Sequence, residues 1–400
     1  MVQSLDHARG MSNSSESPGV ARPLIRVSST SALVASVPFL VGFTPSDSMV
    51  LVFLSATSHQ VVVTLRVDLP PSHDLSAEQH TVAMIAETVE RALRHEIELD
   101  MGHIVLWHDD ASLRDRRRLL ATLSTSLQDL GVIIGHWLAT DGRAMWDYAP
   151  DHSTCCDGPG HELSDPESTH TRFAMVVAGL GFAGSRGVLA ESVAPGDQQL
   201  SPASLSDATA MRNAAECEGF GATWRREVED AIVLASQRAF DDAELAAVGA
   251  IWVVALADAR VREPVMYRLL RLAPADRVER LSRCREWLTA LVAITPEAHC
   301  PPVAATLAAI AWQQGDGAFA TIAADRALAI NPEHSLATIV KKSACSGLPP
   351  QQWVEILVSI GLSQLRGVTV RMPPAASGKS ANLRPGRKPA DRSDRQRSTW

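Results

Sequence analysis

The sequence has no apolar run able to span a bilayer. The longest near its start, Ala32 to Phe43, is broken by Ser36 and Pro38, whereas a membrane helix needs about 20 apolar residues. Residues 1–23 are polar, hold Asp6 and Glu16, and lack the apolar core of a secretory signal. Met11, followed by serines, is an alternative start to Met1. Cysteine is scarce: Cys155, Cys156, Cys217, Cys284, Cys300 and Cys345 are six in 400 residues, too few for a disulfide scaffold. Reduced thiols, a cytoplasmic location and no membrane association are therefore expected. Ser-His-Asp elbows, P-loops, HExxH motifs and kinase signatures are also missing, which weakens an enzymatic reading without excluding it.

What is present can build a large core. Apolar residues make up 46% of the chain, and the length suggests two domains. Of the formal net charge of −8, residues 371–400 contribute +6, with eight Lys/Arg against Asp391 and Asp394, so residues 1–370 carry −14. An acidic body repels nucleic acid and anionic membranes, leaving only the tail to attract either.

Residues 1–24, rich in Ser, Asn, Gly and Pro, are expected to form a disordered arm. Ser29 to Ser31 offer a helix N-cap before Ala32–Leu40. Met49–Leu54 and Val61–Val67 then predict a β-hairpin, the second run alternating Val61, Val63, Leu65 and Val67 with Val62, Thr64, Arg66 and Asp68. A helix over about Ser76–Glu96, a strand at Ile104–Trp107 and a helix over Leu113–Leu130 follow, the last with Ser112 as N-cap and Gly131 as stop. Strand Val132–Ala139 reaches Asp141-Gly142, a strong hairpin signal, and returns through Ala144–Tyr148. This order predicts an α/β domain over residues 25–165, a mixed sheet with helices packed on it.

Residues 166–368 read as a helical domain. The expected helices are Thr171–Ala178, Leu205–Cys217, Thr223–Ala239, Asp242–Ala257, Asp276–Ile294, Val303–Gln314, Ala318–Ile330, Ser335–Cys345 and Gln351–Leu362. Leu307, Ala308, Gly315, Ala320, Ala327 and Pro332 have the spacing of one tetratricopeptide-like helix pair, although its usual aromatics are missing and no second copy follows. Residues 369–400 are expected to be a disordered basic tail.

Several segments resemble one family. They are Val37-Pro-Phe-Leu-Val-Gly-Phe-Thr-Pro-Ser-Asp-Ser48, Thr64-Leu-Arg-Val-Asp-Leu-Pro70, Trp146-Asp-Tyr148 with Cys155-Cys156, Leu256-Ala-Asp-Ala-Arg-Val-Arg-Glu263 and Gly315-Asp-Gly317 through Pro332. Together they are similar to the domain of unknown function family 4192, uncharacterised proteins of high-GC Gram-positive bacteria, over about residues 27–365. The resemblance implies one continuous unit and supplies no activity. Family members often have a further cysteine after the W-x-Y element and a proline after Cys-Cys; Ala149-Pro150 and Asp157 stand here instead.

Five constellations could carry chemistry. An unbroken hairpin pairing Leu54 with Val61 would set Met49 opposite Arg66 and Asp47 opposite Asp68, so that Asp47, Ser48, Arg66 and Asp68 form a candidate ligand site at the sheet edge. The plainer reading makes Arg66 an ion-pair clamp and Asp47 a turn cap. His152, Cys155, Cys156 and His161 are the metal candidates, weak because adjacent cysteines rarely ligate one ion. Gly179-Leu-Gly181-Phe-Ala-Gly184 matches a dinucleotide fingerprint literally, but the preceding run reads equally as helix, and relatives in the resembling family typically keep only the first glycine. Asp258 and Arg262 are spaced as an i,i+4 helix pair, with Arg260 and Glu263 alongside. The basic tail could bind an anionic partner with strong salt sensitivity, or merely solubilise.

The expectation is a cytoplasmic, non-enzymatic interaction or regulatory protein without a cofactor, meeting a protein partner through its helical half. The alternative is a small-molecule-binding enzyme with its site at the Asp47/Arg66/Asp68 edge. Deleting residues 371–400 should leave the thermal melt nearly unchanged; a large drop would refute the solvated-tail reading.

Overall fold

The computed structural model describes residues 27, 29–55, 61–72, 74–108, 116–148, 160–178, 180–346 and 348–367. The described residues form one compact unit. Its N-terminal half is built on a mixed six-stranded sheet; the C-terminal half is helical.

The sheet has the order β2-β1-β3-β4-β5-β6. Its strands are β1 (Ser48–Leu54), β2 (Val61–Asp68), β3 (Met101–Trp107), β4 (Ile133–Thr140), β5 (Ala144–Asp147) and β6 (His161–Glu162). Only β3 and β4 pair parallel. β1 is a run of apolar residues with no polar partner face, and it lies between β2 and β3 with Met49 to Phe53 fully buried. Both sheet faces are therefore covered.

On one face, Met49, Leu51 and Phe53 meet α2 (Leu75–Arg94) and α3 (Arg117–Asp129) through Val82, Ile85, Val89, Leu119, Leu120, Leu123 and Leu127. On the other, Val50 and Val52 join Val105, Trp107 and Leu138 beneath α1 (Thr30–Val41), which supplies Leu33, Val34, Val37 and Val41. Helix α1 is capped by the Ser29 hydroxyl, which accepts from the Ala32 N–H, and stops at Gly42 in the left-handed region. It buries nearly all its side chains because α4 (Pro166–Val177) packs on its back.

The Asp-Gly hairpin forms as the sequence predicts. Gly142 has φ +86, and Asp141 Oδ1 accepts from the Arg143 and Ala144 N–H groups. The first hairpin departs from expectation by one residue. Leu54 pairs with Val61, but the register shifts between Phe53 and Leu54, so Met49 faces Val67 and Ser48 faces Asp68. A bulge of this kind adds one unpaired residue to a strand.

The helical half comprises α5 (Arg186–Glu191), α6 (Pro202–Cys217), α7 (Gly221–Ala235), α8 (Asp242–Leu256), α9 (Ala259–Leu270), α10 (Pro274–Ile294), α11 (Cys300–Gln313), α12 (Gly317–Ile330), α13 (Ser335–Cys345), α14 (Pro350–Ile360) and α15 (Leu362–Gly367). They share one core in which α11 is buried on almost every side by alanines and leucines. Gly315 (φ +84) lets α12 fold back on α11, with Ala308 and Ala320 fully buried. Asp316 caps α12 at the Phe319 N–H and pairs with Arg285 at 2.9 Å. A Cβ on Gly42 would lie 3.6 Å from that Asp316 carboxylate, so the end of α1 abuts the α11–α12 turn. At the far end, Arg366 of α15 forms a two-point bridge to Glu229, which is 1% exposed and also pairs with Arg268.

Desolvation disfavours a charged Asp141, but the hydrogen bonds from Ala144 and Arg143 outweigh it and hold the carboxyl below its ordinary value. Such a group stabilises the fold above its unfolded pKa, and the contribution fades as pH falls through the lower folded value. Asp141→Ala should cost about 1 kcal/mol in urea unfolding at pH 7, with the difference from wild type shrinking in acid.

Candidate functional site

The sheet edge predicted as a ligand site is assembled only in part. Arg66 lies opposite Val50 rather than Met49. Its Nε donates to Ser48 Oγ at 2.9 Å, its Nη2 meets Asp68 Oδ1 at 2.6 Å, and its guanidinium sits 5.7 Å from the Phe43 ring centroid. Asp47 is turned elsewhere. It occupies the left-handed region at φ +42, its carbonyl accepts from the Leu69 N–H, and its carboxylate lies 3.2 Å from His108 Nε2. Ser48, Arg66 and Asp68 thus form a matched cluster, and among the described residues no hydrogen bond or ion pair joins Arg66 to Asp47. The arrangement fits the clamp better than an open anion site.

The other predicted groups separate. His152, Cys155 and Cys156 lie outside the described residues, and His161 is exposed on β6. No group of three or more His, Cys, Asp or Glu able to hold a metal is present among the described residues. The run before the glycine-rich stretch is the helix α4, not a strand. Gly179 lies outside the described residues, and Ala183 clasps the chain after α1: its N–H donates to Gly42 and its carbonyl accepts from Thr44. Asp258 does not pair with Arg262. It is the N-cap of α9, and its carboxylate grips Arg260 at 2.8 Å, while Arg262 meets Glu263 at 3.1 Å. The Asp258 carbonyl still accepts from the Arg262 N–H, but its carboxylate folds onto the Arg260 N–H and guanidinium, as an N-cap side chain does.

A cluster that sequence reading missed lies on the α1-facing side of the sheet. His103 of β3 and His136 of β4 are register partners, their ring centroids 5.3 Å apart. His136 Nδ1 is 2.9 Å from Asp147 Oδ2 on β5. With an ionised carboxylate, which only accepts, Nδ1 is the donor of this pair, and a neutral imidazole so held carries its lone pair on Nε2, the tautomer of a positioned general base. Close backbone approach makes room for the rings: a Cβ on Gly135 would stand 3.0 Å from His103 Cε1. Burial lowers the His103 pKa, and neighbouring His136 lowers it further against the pull of Asp147. The available signal was a Gly-His pair in each of two apolar strands, Gly102-His103 and Gly135-His136.

In the helical half, a cavity of about 440 Å³ opens between α12 and α13, lined by Leu328, Pro332, Thr338, Lys341, Lys342 and Cys345. Among the described residues, no helix is long and apolar enough to cross a membrane.

A family model, Domain of unknown function (DUF4192), matches residues 31–351. The chain belongs to this family. Among curated proteins and solved structures, nothing matches it. The DUF4192 span begins in α1, includes the whole sheet and ends in α14. Two of its motif segments meet in space, since Gly42 abuts the Asp316 turn.

Arg66→Ala should destabilise by about 1 kcal/mol, because it strips Ser48 and Asp68 of their shared donor; an unchanged urea midpoint would contradict the clamp. His103 should titrate below the ordinary histidine value in an NMR pH series. Its folded pKa is depressed, so its contribution to stability falls as pH drops through the unfolded value near 6.5. His103→Gln should flatten that slope.

Proposed function

We propose that the protein is a cytoplasmic, non-enzymatic interaction protein that receives a partner's apolar helix on the outer face of α4. The observation that carries this reading is a stripe on the wrong side of the helix. Ser168, Thr171 and Met175 face α1 and are buried. Phe173, Val176 and Val177, at i, i+3 and i+4, point outward at 67%, 60% and 69% exposure, and Leu180, beyond the end of the helix, is exposed as well. Phe182, also exposed, extends the patch by stacking edge-on against Phe39 at 4.7 Å. A soluble helix normally turns such a stripe inward, and a contiguous exposed apolar patch marks an interaction site. The spacing suits ridge-into-groove packing by a second helix, and burying one such side chain contributes about 1.5–3 kcal/mol.

A second reading, a small-molecule enzyme, is favoured by the Asp147–His136 pair. It would place the reacting group at His136 Nε2 rather than at the Asp47/Arg66/Asp68 edge, where the cation already has its partners.

Crosslinking in cells and affinity capture should be run on wild type, Val177→Asp and Arg66→Ala in parallel. Loss of the captured partner in Val177→Asp alone is the expected result, at a cost of about 2 kcal/mol or more in affinity. A complex that survives Val177→Asp would overturn the α4 reading.

A further inference from the structure

The basic side chains of this chain are almost all arginines. Within residues 1–370 the sole lysines are Lys341 and Lys342, and both line the cavity between α12 and α13. Thr338, Lys341, Lys342 and Cys345 follow i, i+3, i+4, i+7 along α13 and so share one face of it. Leu328 near the end of α12 and Pro332 in the connection form the opposing apolar wall.

The two ammonium groups are not equivalent. Lys341 is 2.6 Å from Asp325, which also lies 3.7 Å from Arg186. Lys342 is exposed and has no ion pair among the described residues. It therefore offers a mobile point charge with three donors beside an apolar wall, in a body of net charge −14. A cation in the last turn of α13 also suits the helix dipole.

We propose that this cavity binds a small amphipathic anion, its apolar body against Leu328 and Pro332 and its carboxylate or phosphate head on Lys342. An open groove of about 440 Å³ is within the size range of small-ligand sites, whose lining is mostly apolar, and the exposed Lys342 stands on its wall. Lys341, fixed by Asp325, lends charge without moving. The site is independent of α4: its ligand is a small molecule and its residues lie on other helices.

Octanoate, octyl phosphate, octanol and octylamine serve as probes in isothermal titration on the full chain. Octanoate or octyl phosphate should bind, and the stronger of the two identifies the head group; octanol and octylamine should bind at least about tenfold more weakly. Lys342→Gln lies on the surface and should fold normally, with anion affinity reduced about tenfold. Lys342→Arg should retain most of the affinity. Failure of both anions to bind, equal binding of octanol, or full affinity in Lys342→Gln would each overturn the proposal. None of these outcomes bears on partner capture by α4.

Discussion

Burial on both faces of β1 is the constraint from which the architecture follows. Met49, Leu51 and Phe53 point one way, Val50 and Val52 the other, and all five are sealed from solvent. A strand of this composition cannot sit at an edge or leave one face wet, so it draws β2 and β3 to its sides and helices above and below. The same demand is then passed outward. α1 covers the sheet but is itself apolar all round, so it needs α4 on its back. α4 in turn is apolar on its outer side, and there the described layers end. The protein is a stack of two-sided elements whose last member still presents an apolar surface, and that is the physical content of the interaction reading.

The sheet also sets what chemistry the N-terminal half can offer. Side chains alternate across it, so the groups that meet on the α1-facing side are fixed by register: His103 beside His136, then Asp147, and Ser48 beside Arg66. The two polar clusters differ in kind. At Arg66 the charges are matched within the cluster. At His136 the carboxylate meets one imidazole nitrogen, Nδ1, and holds the ring beside His103.

Much of the fold was legible in the residues. The alternation of Val63, Leu65 and Val67, the Asp141-Gly142 turn, and the caps at Ser29 and Gly131 announced elements that the structure contains. The losses have specific causes. Hairpin register follows from sequence spacing only where no bulge intervenes, and the bulge beside Leu54 moves each pair beyond it by one without any sign in the composition. The spacing of Asp258 and Arg262 suits a helix interior, whereas Asp258 is the cap at which α9 begins. His103 and His136 are 33 positions apart and are joined by a parallel crossover through α3, so no local window contains both. Periodicity correctly marked a helix near Phe173 but carried no information about which of its faces would be covered.

The bridge from Arg366 to Glu229 has a consequence for how the chain tolerates shortening. Glu229 is sealed inside the helical core, and two guanidinium groups neutralise it, one of them from the last described helix. A cut anywhere before Arg366 would remove more than a peripheral segment. It would strand half-compensated charge in a low-dielectric interior, and the penalty would be felt on α7 and α9, far from the break in sequence. The boundary of the folding unit is thus written in electrostatics as well as in apolar contact.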